Sequence, residues 1–141
     1  MVWKVKAKTK EHGIEITRQA ARGAMHAVDD KPLAVENLVI PVVTSVVDAS
    51  GKAGVSPLNG VHGASQGVVQ GAIETSTDVT AAVRETIEAA KEIAKQTGVS
   101  EDSAVVKATV GALEAAQSAG SKVVESVKEA LRTTEHDEKE K

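Results

Sequence analysis

The sequence predicts an all-α fold: extended amphipathic helices joined by tight corners into an antiparallel bundle or hairpin array, with a degenerate repeat of about 40 residues. Three observations point there. Apolar residues recur at steps of three and four over long stretches. The tripeptide GVS occurs at 54–56 and again at 98–100, each time in a context that ends one helix and begins another. Residues 69–90 slide onto 109–130 without a gap, matching Gly71 with Gly111, Ala72 with Ala112, Glu74 with Glu114, Val83 with Val123, Glu85 with Glu125 and Ala90 with Ala130.

Residues 1–13 contain Lys4, Lys6, Lys8 and Lys10 alternating with apolar or small residues. This period of two fits a short strand, but without a partner strand a basic, loosely attached arm is the better expectation. Residues 14–28 then place Ile16, Ala20, Ala24 and Ala27 on one helical face. Residues 33–50 follow the "DDKP" break. Val35, Leu38, Val42, Val46 and Ala49 keep helical spacing, while Val39, Val43 and Val47 widen the apolar face. Helix is expected, kinked or restarted at Pro41, with a strand as the alternative that the β-branched run allows.

The corners have a mechanism. Gly98 suits the left-handed conformation that stops a helix, and Ser100 suits the cap of the next, followed by Glu101 and Asp102 in the positive first turn. Gly54 and Ser56 repeat the stop and the cap, with Pro57 at the favoured first helical position. Between the corners, Gly60, Gly63, Gly67 and Gly71 fall on one helical face. Each glycine costs a helix interior up to about 1 kcal/mol, so four in line point to a groove where another backbone approaches closely, with a flexible, weakly helical loop as the alternative. Residues 77–98 and 100–132 read as two further helices, the second with heptad seams through Val106, Leu113, Gly120 and Val127 and through Val110, Gln117, Val124 and Leu131. The domain division expected is an arm at 1–13, one helical domain at 14–132 and a charged, disordered tail at 133–141.

Composition bounds the function. The apolar residues include 22 Ala and 22 Val but five Leu, six Ile, two Met, one Trp and no Phe, Tyr or Cys. Such a core is thin and must gain burial from close helix contact, a partner chain or a surface. Without Cys there are no disulfides or thiolate ligands, which suits a reducing, cytoplasmic setting. No apolar run is long enough to span a membrane. The net charge of −3 hides a middle, residues 37–73, that carries only Asp48 and Lys52. That acidic balance argues against a nucleic-acid partner.

"GASQG" at 63–67 matches the G-x-S-x-G elbow with Ser65 as nucleophile, but the strand-turn-helix setting it needs is missing. His12, His26, His62 and His136 are scattered without metal-ligand spacing. The expectation is therefore no enzyme, no cofactor and no metal. The Ala/Val/Glu/Lys helices at 77–97 and 101–132, the lack of Cys and the charged tail give a resemblance to the phasins that coat bacterial polyester storage granules. It covers about half the chain, and similar helices recur in desiccation-protective and apolipoprotein-like proteins. The resemblance implies a lipid or granule surface as the partner. The expected contact zone is Val42, Val43, Val46, Val47, Gly60, Gly63, Gly67 and Gly71. A self-assembling homo-oligomeric subunit (ring, bundle or filament) with no lipid partner is the alternative.

Overall fold

The computed structural model describes the backbone of residues 2–28 and 35–140 and the side chains of residues 10–28 and 37–132. Among these, six helices account for nearly all the chain: α1 (Val2–Ala27), α2 (Val35–Lys52), α3 (Pro57–Glu74), α4 (Val79–Thr97), α5 (Glu101–Ala119) and α6 (Ser121–Glu140). The all-α expectation holds.

Local chemistry explains the element ends. Ser56 caps α3 by accepting from the Asn59 N–H at 3.3 Å, with Pro57 first in the helix. Asp78 caps α4 through the Ala81 N–H at 3.2 Å. Ser100 caps α5 through the Ser103 N–H at 3.2 Å, with Glu101 and Asp102 in the first turn. Gly98 closes α4 at φ 81°, its N–H donating to the Ala94 carbonyl oxygen at 2.9 Å, and Gly54 takes φ 95° after α2. The corners thus stand where the sequence puts them.

Residues 35–52 are helix, not strand, and α2 continues unbroken through Pro41. Pro41 is exposed, so the N–H it lacks is lost on the solvent side. Two sequence expectations need correction. The boundary set at residue 13 falls inside α1, which begins at Val2; Gly13 sits within it, packed against Val55 of the first corner. The single long helix expected over 100–132 breaks at Gly120, whose φ of 127° and ψ of 172° belong to a region essentially reserved for glycine. Its heptad seams fail with it: Val106 and Val110 are exposed, and α5 buries Ala104, Ala108, Gly111, Ala112, Ala115 and Ala116 instead. The side chains of the tail at 133–141 lie outside the described residues, while the α6 backbone runs on to Glu140.

Helix packing separates odd from even. α3 lies between α1 and α5, and α4 lies between α2 and α6; each helix also packs against its sequence neighbours. Residue numbers rise together where α1 meets α3, from Ile14 at Gly63 through Arg18 at Gly67 to Met25 at Gly71, so these two helices run in the same direction. Late residues of α2 meet early residues of α3, as Val47 meets Gly60, so those two are antiparallel. The largest fully buried side chains are Met25, Ile87, and Val39, Val43, Val61, Val68, Val69, Val83 and Val127. The described side chains include no Phe, Tyr or Trp, so these helices must approach closely to bury enough apolar surface.

Candidate functional site

The glycine face of α3 is where the chain departs most from an ordinary helix. A Cβ added at Gly63 would collide with the Ile14 carbonyl oxygen, and one at Gly67 with the Arg18 carbonyl oxygen. At Gly71 it would stand 2.5 Å from the Met25 Cβ, and at Gly60 it would stand 3.2 Å from Val47 Cγ1. The close backbone approach inferred from the stripe is therefore present, and the backbone is that of α1 in the same chain. All four glycines are buried. Val43 and Val47 are buried in the same core, Val42 is at its margin and Val46 is half-buried against it. The glycines expected to face a partner thus meet α1 and Val47 of the same chain, and the valines contribute to the chain's own core.

A second junction repeats the first. Gly67 lies against the Arg18 carbonyl, the Ala21 Cβ and the Arg22 nitrogen; Gly111 of α5 lies against the His62 carbonyl, the Ser65 Cβ and the Gln66 nitrogen. Every one of these positions moves by 44 residues: 67 to 111, 18 to 62, 21 to 65 and 22 to 66. The ungapped alignment of 69–90 with 109–130 pairs Gly111 with Gly71, whereas its contacts are those of Gly67. The spacing of the two GVS corners, also 44 residues, carried the signal for Gly111.

Polar side chains line the rim of both junctions in the same register. Arg18 Nη1 donates to Gln70 Oε1 at 2.7 Å, and His62 Nε2 meets Glu114 Oε1 at 2.5 Å, the equivalent pair. Gln66 Nε2 also donates to Glu114 Oε1, at 3.0 Å. At the first junction Arg22 grips Glu74 with both prongs, Nε to Oε1 at 2.7 Å and Nη2 to Oε2 at 2.5 Å, and His26 Nε2 joins Oε1 at 2.7 Å. The Arg22 bonds first and His26 second hold the Glu74 carboxyl down at about 2. Arg18 in turn pairs with Glu15 on its own helix and lowers that carboxyl.

Ser65 is fully buried in mid-helix, and its hydroxyl donates to the Ala108 carbonyl oxygen at 2.5 Å. This placement gives it a packing role at the second junction, with no sharp strand-to-helix turn to present it. A shallow open cleft between α2, the start of α3 and the end of α4 is lined by Thr44, Asp48, Lys52, Ile93 and Gln96, with Lys52 Nζ 3.4 Å from Asp48 Oδ2. Among the described residues, no group of three or more His, Asp or Glu is placed to hold a metal ion, and no helix is long and apolar enough to cross a membrane. The chain matches no family model, no curated protein and no solved structure. Its function has to be read from these junctions.

Proposed function

We propose that the protein is a non-enzymatic helical scaffold: three hairpins, α1–α2, α3–α4 and α5–α6, stacked on a 44-residue repeat, acting as a structural subunit through contact with other protein surface. The observation that carries this reading is the twofold use of one junction, Gly67 on Arg18, Ala21 and Arg22 and Gly111 on His62, Ser65 and Gln66. Stacked repeats bury a continuous core between neighbours and keep their free surface at the ends and along the outer faces. A protein built this way does its work by presenting those surfaces.

Adsorption to a lipid or granule surface through the Val-rich and glycine faces fits the geometry less well. Those residues already pack inside the chain, so α1 would have to leave α3 before lipid could reach them. Circular dichroism with and without anionic phospholipid vesicles separates the two roles. A scaffold is helical in plain buffer and unchanged by vesicles. A chain that is mostly coil in buffer and gains helix on vesicles would overturn the scaffold reading in favour of adsorption.

A further inference from the structure

Among the described residues, the exposed large apolar side chains are Ile16 at 44%, Val106 at 57% and Val110 at 38% exposure. The 44-residue register explains the two on α5. The positions of α1 and α3 that receive the next glycine face are Arg18, Ala21 and Arg22, then His62, Ser65 and Gln66. Another step of 44 residues lands on Val106, Thr109 and Val110 of α5. Two of these are the most exposed large apolar groups on α5, and no further helix among the described residues covers them.

The opposite end of the stack completes the pattern. In the inserting face, the positions on α3 where an added Cβ meets α1 are Gly63, Gly67 and Gly71; on α5 Gly111 meets α3 in the same way, with Ala115 one turn on, and all five are buried. One step of 44 residues back from Gly63, Gly67 and Gly71 gives Gln19, Gly23 and Ala27 on α1, and every one of these is exposed. A Cβ added at Gly23 meets nothing within 4 Å. One end of the chain therefore carries an unoccupied receiving face, and the other carries the matching inserting face.

We infer that these two faces bind each other between copies: the α1 face of one chain, centred on Gly23, docks on the Val106–Thr109–Val110 face of a second copy of this chain. The occupant is a second copy because the joint continues a junction that the chain already makes twice within itself. At the internal junctions the positions numbered 18, 62 and 22, 66 hold charged or polar residues, and at the open end they hold Val106 and Val110. A repeat face that stays in water is normally polar, and this one presents Val106 and Val110. The contact joins unlike faces, so it is heterologous and generates a ring if the rotation closes and a filament if it does not. This inference rests on the scaffold reading and names its partner.

The test uses the full chain, sedimentation velocity over a concentration series, and two variants at exposed positions. Gly23→Leu fills the inserting face and Val106→Glu puts a charge on the receiving face. Circular dichroism confirms that each variant keeps its helix content, as open space at both sites allows. Wild type is expected to associate with rising concentration, and each variant to associate at least about tenfold more weakly. Mixed together, the two variants are expected to form one-to-one dimers and nothing larger, because each pair retains one intact head-to-tail joint. A wild-type chain that remains monomeric at every concentration overturns the inference. So does association that either variant leaves at wild-type strength, as a symmetric α5-to-α5 contact would for Gly23→Leu, or a mixture of the two variants that yields no dimer. In each of those cases a helical chain indifferent to vesicles leaves the scaffold reading standing, which keeps the two failures apart.

Discussion

Gly67 rests on the main chain at Arg18, with no room between them for a single methyl group. Gly67→Ala is therefore expected to destabilise the fold by roughly 1–3 kcal/mol, although alanine is the better helix former. Gly51→Ala is the control, since a Cβ there meets nothing within 4 Å. It should be neutral or stabilise by up to about 1 kcal/mol. Urea unfolding midpoints of the two variants would decide the matter; equal midpoints would mean that the junction can widen at no cost.

The two corners predict a graded response. Ser100→Ala removes the acceptor for the Ser103 N–H and should cost about 1 kcal/mol. Ser56→Ala should cost less, because its bond to Asn59 is longer, at 3.3 Å, and Pro57 already fixes the first helical residue. Gly98→Ala forces a side chain into φ 81° and should cost about 1–2 kcal/mol. Thermal melting of the three variants gives the ranking, and a larger loss at Ser56 than at Ser100 would contradict it.

Acid should weaken the first junction before the rest. Glu74 titrates near 2 in the folded chain, against 4.5 without its Arg22 and His26 partners. Its folded value is depressed, so its contribution is complete above 4.5 and is lost as pH falls through about 2. Glu74 is a third exposed, and solvent screening reduces that contribution to about 1 kcal/mol. The gap in Tm between wild type and Glu74→Gln should be full at neutral pH and should close as the pH approaches about 2. A gap of constant size across that range would show that the carboxylate charge contributes nothing.

The corners were legible in the sequence because capping is local chemistry: Gly98 and Ser100 act within one turn of their own helices. The glycine stripe was half legible: four glycines on one face fit a close approach or a flexible loop, and the helix α3 packed on α1 decides for the first. Whose backbone approached was not legible, since the pattern on α3 is the same whether α1 or another chain lies on it. Gly120 was hidden by its Ala- and Ser-rich neighbours, which continue a helix as readily as they end one. Val106 and Val110 misled for a related reason. Hydrophobic spacing favours the larger residues as the buried face, while in α5 the alanines are inside because only small side chains let Gly111 reach the main chain at His62.

Gly111 and Gly67 meet a carbonyl oxygen and an amide nitrogen, which every residue supplies, and the Cβ of one small buried residue, Ser65 or Ala21. Arg18, His62 and Val106 occupy the same place in successive helices and share no chemistry. Such a seat asks for a small residue at one position and is indifferent to the side chains that flank it, so substitutions at those flanking positions change the rim and leave the fit intact. The units can therefore diverge almost freely in their side chains while remaining geometrically interchangeable. The self-similarity of this chain is accordingly faint in its letters and plain in its spacing.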